Sequence, residues 1–506
     1  MIRGVIPETA CRLPILRAAL ACASVLAAAS RAPAAGLTAG DLATIYAQAE
    51  GSAEQLAPGL VIAIVDRDGR ALLVRQAGSE EAPSAAQAAI AVSKAGTAVF
   101  LSSGGEALTS RTAGFIIQQH FPPGIENTPP GPLVGVGFSS LAFSDVTSLH
   151  NIDGSRIPGT RLYGSPGGVP IYEDGALVAG IGVTGAGPEV EDGRITGPDV
   201  NEEVALAGQV GYEPPPEILA SNIFIGGFAL PYVSSNPGPS APATPDSTGL
   251  IAPAPVSWPT AVIGGVLGEV RSPIIADPAH GTISGQARLS ASEVMQIISA
   301  AAARSLVTRA GIRLPAGQPA EVFIAVVSNP NVAGQPPVVL GTFRTPDATV
   351  FSWDVAVQKA RTALFFSSDT LALSTRAVGF LAQSFYAPGI DGNPPGPFNG
   401  LQERYSAPLI NGTGAVNGNL PDGITIFPGG FPLYRNGVLI GAIGVSGDGV
   451  DQDDLISSSG TEGFQPSTAI RADSFTYLGV RLPYANFLRA PLLSPPVTPA
   501  PSDSGN

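Results

Sequence analysis

Lysine stands at only two positions of this chain, Lys94 and Lys359; every other basic side chain is arginine. Each lysine is followed three residues later by a threonine, Thr97 and Thr362. Three residues apart on a helix, the two side chains share a face. An ammonium beside a hydroxyl suits an anion such as a carboxylate, and the amine is compact and potentially reactive as a guanidinium is not. The structural alternative is an internal ion pair or a stem covering a sheet. Arg111 and Arg376 offer two-pronged carboxylate recognition, with capping a helix or holding a loop as the favoured alternative. The pairs Gly167-Gly168 and Gly429-Gly430 allow backbone N–H groups close to a ligand, or simply a tight turn. Asp448, Asp451, Asp453 and Asp454 crowd one segment, with Glu189, Glu191 and Asp192 at the related place. Calcium is conceivable there, but the spacing fits no known loop, and a solvated acidic turn is favoured. Gly180-x-Gly182-x-x-Gly185 has the letters of a dinucleotide fingerprint, yet it lies within a strand and Ala442 breaks it in the second half, so it is rejected.

These residues recur because the chain is an internal repeat. Arg111 to Phe115 corresponds to Arg376 to Phe380, and Pro129-Pro130-Gly131-Pro132 to Pro394-Pro395-Gly396-Pro397. Gly167 to Gly175 corresponds to Gly429 to Gly437, with matching Tyr172 and Tyr434. Such long units are whole domains rather than solenoid turns. Within one copy, 38–56 reads as a helix with Thr38 as N-cap and Asp41 completing a capping box. A hairpin over 60–65 and 70–75 follows, turning at Asp66-Arg67-Asp68-Gly69. Residues 85–102 form the lysine helix, and a second hairpin spans 169–172 and 177–183. The pattern is α+β with an antiparallel sheet.

Composition narrows the function. The formal net charge is −14 with no basic cluster, which argues against nucleic-acid binding. Arg3, Arg12 and Arg17 precede an apolar run and Ala32-Pro33-Ala34, the order of a secretory signal peptide over 1–34. Both cysteines, Cys11 and Cys22, fall in it, so the expected mature protein has no thiol chemistry and no membrane span; lipid anchoring at Cys22 is the minor alternative. The expected organisation is a first domain over 35–235, a Pro-rich linker over 236–261, a second domain over 262–490 and a disordered tail over 491–506.

The Lys-Ala-x-Thr-Ala helix, the hairpin before it and the Gly-Gly-x-Pro hairpin ending in Gly-x-Ile-Gly-Val-[Ser/Thr]-Gly resemble the GlcG/HbpS family, in both copies. The resemblance implies tandem profilin-like α/β/α sandwiches, here with long Gly/Pro-rich insertions at 104–165 and 369–427. It implies an exported (secreted or periplasmic) binding protein for haem or a related tetrapyrrole or small anionic ligand, with homo-oligomers an option. The alternatives are an assembly module without a small ligand, or an enzyme acting on a small carboxylate. The ligand site is expected at Lys94, Thr97, Lys359, Thr362, Arg111, Arg376, Gly167, Gly168, Gly429 and Gly430. Haem iron usually takes a His, Cys, Met or Tyr ligand. His120, His150 and His280 are not repeated, so Tyr172 and Tyr434 are the only paired donors, and half-buried strand tyrosines are the favoured reading.

Overall fold

The computed structural model describes residues 36–191, 197–239, 245–248, 250, 256–486, 488 and 496. The expected leader, with both cysteines, Asp192 and all of the tail except Pro496 lie outside the described residues.

The first copy runs α1 (Ala39–Leu56), β1 (Val61–Asp66), β2 (Arg70–Gln76), α2 (Ala85–Phe100), α3 (Ser110–Ile116), β3 (His150–Asn151), β4 (Gly168–Glu173), β5 (Ala176–Thr184) and α4 (Val200–Gln209), then a two-residue hairpin, β6 (Phe224–Ile225) and β7 (Phe228–Ala229). The second runs β8 (Thr260–Ile263), β9 (Val266–Ser272), α5 (Ala291–Ser305), β10 (Val322–Ser328), β11 (Val339–Arg344), α6 (Phe351–Phe365), α7 (Thr375–Leu381), α8 (Leu401–Asn411), β12 (Gly430–Arg435), β13 (Val438–Gly447) and α9 (Val450–Gly460), and ends in β14 (Thr476–Tyr477) and β15 (Val480–Arg481). The fold is α+β with sheets ordered β3-β2-β1-β5-β4 in the first copy and β12-β13-β10-β11-β9-β8 in the second, antiparallel except for the two-residue β3, which pairs parallel to β2.

Local chemistry explains the starts of the helices. Thr38 and Asp41 form a reciprocal capping box on α1, and Ser290 with Glu293 forms its counterpart on α5. The lysine helix ends at Phe100, two residues before the sequence-based boundary, which is ordinary fraying.

Strand β5 has helices on both faces, as its alternation requires. A Cβ on Gly182 would stand 2.1 Å from Ala91 O and one on Gly180 2.4 Å from Ala95 O, so α2 lies directly on that face. Ile181 points the other way, toward Gly208 of α4, itself packed on Ile45 and Ala49 of α1. The glycine pattern that mimics a dinucleotide fingerprint therefore seats a helix on a strand. In the second copy Gly444 meets Ala356 O of α6 and Gly460 meets Ile443, Ile297 and Ala301 in the same way.

One boundary is corrected. The expected linker ended at 261, but β8 begins at Thr260, and the β8–β9 hairpin extends the second sheet, β9 pairing with β11. The first sheet has no equivalent hairpin among the described residues.

The copies pack closely. Arg313 reaches Glu106 across the junction (3.7 Å) while binding Asp347 and Asp448 of its own copy at 2.7 and 2.8 Å. Asp347 also accepts from Gly104 N, and Asp354 of α6 accepts from Ser140 N and Ser144 Oγ. Arg361 forms a two-pronged pair with Asp145 at 2.7 and 2.8 Å.

Candidate functional site

Both lysines are fully buried on the helix face that meets the sheet. Lys359 Nζ donates to Val445 O (2.8 Å) and Asp453 Oδ2 (2.7 Å). Lys94 Nζ donates to Val183 O (3.0 Å) and pairs with the Glu189 carboxylate at 2.7 Å. The Gly-Gly turns close over them: a Cβ at Gly167 would lie 3.3 Å from Lys94 Nζ, and one at Gly429 3.2 Å from Lys359 Nζ. Both turn glycines hold φ above +110°, a region that L side chains rarely adopt. Gly168 N donates to Ser110 Oγ at 2.8 Å, and Gly430 N to Thr375 Oγ1 at 2.9 Å.

The threonines do not face the ammonium groups as partners. Thr97 Oγ1 donates to Ser93 O and accepts from Tyr163 N, while Thr362 Oγ1 accepts from Thr425 N. Each pins the end of the insertion to the lysine helix. Arg111 binds Glu202 through two nitrogens at 2.6 and 3.0 Å, and Arg376 binds Asp454 and Asp451. The expected anion site is thus filled from within the chain: each lysine and each arginine of the set has an internal carboxylate.

The acidic segment is corrected on the same ground. Asp448, Asp453 and Asp454 are not a solvated turn; each is buried and paired, with Arg313, Lys359 and Arg376 respectively. No cluster of metal-binding side chains occurs among the described residues.

The two lysine counterions arise differently. A Cβ at Gly167 would stand 2.8 Å from Asn201 Cβ, as one at Gly429 would stand 2.7 Å from Asp453 Cβ. The first copy therefore has an amide where the second has a carboxylate. Its charge comes instead from Glu189, on the longer loop after β5, with Thr184 Oγ1 bonded to the same carboxylate. The two carboxylates stand 95 and 94 residues after their lysines, yet one comes from a loop and the other from α9, so the near-equal spacing does not reflect equivalent structural positions.

Burial sets the protonation balance. It pushes the Lys94 and Lys359 amines below the usual lysine range, with Glu189 and Asp453 opposing. It lifts Asp453 to about 7, with Lys359 holding it back.

An apolar cavity of about 80 Å³ lies at the junction of the copies. Leu101, Leu133 and Ile225 of the first copy face Phe351 and Phe427 of the second, and Lys359 and Asp453 line one end. Asp453 Oδ1 is buried and has no hydrogen-bond partner. A buried carboxylate oxygen without a donor is costly, so it marks a place where a donor belongs.

The described residues do not fit a haem in this cavity. Small-molecule sites of that size class occupy about 300 Å³ or more, and no His, Cys, Met or Tyr lines it. Tyr172 and Tyr434 are buried, and each hydroxyl donates to a backbone carbonyl, Ser103 O and Ser368 O, at 2.7 Å. His120 lies 3.6 Å from Asp391, His150 Nδ1 lies 2.8 Å from Ser148 O, and Met295 is exposed on α5. Larger hollows of about 360 and 700 Å³ lie elsewhere; the first has no such donor, and in the second the Tyr46 hydroxyl is held by Glu50.

Comparison with known proteins places this arrangement. No curated protein matches the chain. Among solved structures, that of a PduOC–haem complex is 23% identical over 36% of this chain and 99% of its own, with a TM-score of 0.24. HbpS is 26% identical over 36% of this chain and 94% of its own, TM-score 0.22. A double mutant of HbpS from Streptomyces reticuli is 24% identical over 41% and 98%, TM-score 0.22. The family model described as "Haem degrading protein HbpS-like" matches residues 37–197 and 298–462, well over half of the 506 residues and once in each copy. The chain belongs to the HbpS-like family, with one copy of the family's domain in each half.

Proposed function

We propose that this protein is a small-molecule-binding member of its family whose ligand enters the junction between the copies, beside the Lys359–Asp453 pair. The observation that carries this reading is an apolar cavity between the copies lined at one end by Asp453, whose Oδ1 has no hydrogen-bond partner. Apolar walls with a few polar groups, here Thr349, Ser446, Lys359 and Asp453, are the usual make-up of a ligand site. The ligand that suits it is compact and largely apolar, with one hydroxyl or amine to donate to Asp453. The N-terminal pattern supports export, to a secreted or periplasmic location, as part of the same reading.

Haem is the second reading, favoured by the description of the family as haem-degrading and by the PduOC–haem complex. It requires a site other than this cavity and an iron ligand outside the paired tyrosines. Extraction of the natively purified protein, with mass spectrometry of what is released, tests the first reading. A small apolar donor from the wild type and none from Leu133→Phe is the expected result. Haem extracted equally from both proteins would overturn it in favour of the second.

A further inference from the structure

The two copies differ at one sheet edge. In the second, β9 covers β11, pairing Ser272, Val270 and Glu269 with Thr342, Phe343 and Arg344. The turn of its hairpin rests on α5, where a Cβ at Gly264 would stand 2.3 Å from Ser299 O and 3.1 Å from Ala302 Cβ. The packing of Gly208 on Ile45 and Ala49, and of Gly460 on Ile297 and Ala301, fixes the correspondence of α1 with α5. Ser299 and Ala302 of α5 thus match Ala47 and Glu50 of α1. By the β1–β2 and β10–β11 registers, Thr342 and Phe343 match Val74 and Arg75.

In the first copy those same positions line an open groove of about 700 Å³, walled by α1 and the edge of β2. The only strand on that edge, β3, stops at Arg70 and Ala71, so no strand covers Leu72–Gln76 among the described residues. The groove is where the second copy keeps its β8–β9 hairpin. An uncovered edge is a template for strand addition.

The rim selects the partner. Glu50, Glu80, Glu81 and Asp246 line it against the single Arg75. Pairing two copies of this chain edge to edge would bring like charges together. We propose that this groove docks a basic, extended segment of a partner chain, which adds as a strand to β2 and is held by the acidic rim.

The test uses the full chain and a fluorescent synthetic peptide of residues 260–272, the chain's own hairpin sequence, carrying Val262→Lys and Leu267→Lys at its two most exposed apolar positions. One peptide per chain is expected to bind, because the second copy's groove is filled. Binding should weaken roughly ten-fold at about 1 M salt and roughly ten-fold in Glu80→Lys/Glu81→Lys, with unchanged circular dichroism. Hydrogen exchange at Leu72–Gln76 should slow on binding, as strand addition requires. No binding, or binding that leaves those amides unchanged, overturns the proposal. Concentration-dependent dimerisation that protects the same amides also overturns it, making a second copy the occupant.

Discussion

His120 stacks on Phe385, ring centroids 6.4 Å apart and planes within 14°, and these two residues occupy the same position in the two copies. So do the neighbouring Gln119 and Ser384, which share a hydrogen bond. Close by, Asn127 N donates to Asp391 Oδ2 and Asp391 N donates to Asn127 Oδ1. A patch that meets its own equivalent defines a local two-fold relation, the geometry of an isologous dimer built within one chain. Aromatic pairs add about 0.5–1.5 kcal/mol beyond area burial. His120→Ala and Phe385→Ala should therefore couple by about that amount in a double-mutant cycle followed by denaturant unfolding. Strict additivity would show that the stack contributes nothing.

The lysines are expected to govern stability. Lys359→Met leaves Asp453 buried without its cation, a change that typically costs about 3–5 kcal/mol. Adding Asp453→Asn should recover much of the loss, since it removes the stranded charge. Denaturant midpoints of the wild type, the single variant and the double variant measure this. A Lys359→Met protein as stable as the wild type would contradict the internal-pair account.

The compensation in the first copy makes its own prediction. Glu189→Gln should destabilise the chain by about 1–3 kcal/mol by removing the carboxylate partner of Lys94. Introducing Asn201→Asp into that variant places a carboxylate where Asp453 stands in the other copy, and should restore stability. If Asn201→Asp destabilises the variant further, the equivalence of the two turns is wrong.

Asp422 supplies a pH signature. Its carboxyl is buried beneath α6, 3.1 Å from Arg361, and burial lifts it from an ordinary 3.8 to about 7, with Arg361 opposing the shift. A raised acid binds its proton more tightly in the folded state, so its contribution is fully present below about pH 4 and is lost as pH rises toward 7. Relative to Asp422→Asn, the wild type should lose roughly 1 kcal/mol per pH unit across that window. Thermal unfolding of both proteins between pH 4 and 7.5 checks the slope; parallel curves would contradict it.

Much of the fold was legible because its causes are local. The capping box at Thr38 and Asp41, the Asp66–Gly69 turn and the two hairpins depend on neighbours within a few residues. The β8–β9 hairpin carried a signal that went unread: two apolar runs around Gly264-Gly265 are a hairpin pattern, overshadowed by the Pro-rich stretch before them. The lysine positions were legible by repetition, but their partners were not, because an acidic segment alone does not show that Glu189 on its loop and Asp453 on α9 turn inward to the buried amines. The junction cavity could not be read at all. Its walls come from segments more than a hundred residues apart, such as Leu133 and Phe427, and only the packing of one copy on the other creates it.

The central claim is that the ligand belongs in that junction. A crystal structure of the protein as purified from its native source, without reconstitution, tests it most directly. The account predicts density against Phe351 and Phe427, with a donor within hydrogen-bonding distance of Asp453 Oδ1. An empty junction with a tetrapyrrole bound elsewhere on the chain would contradict it.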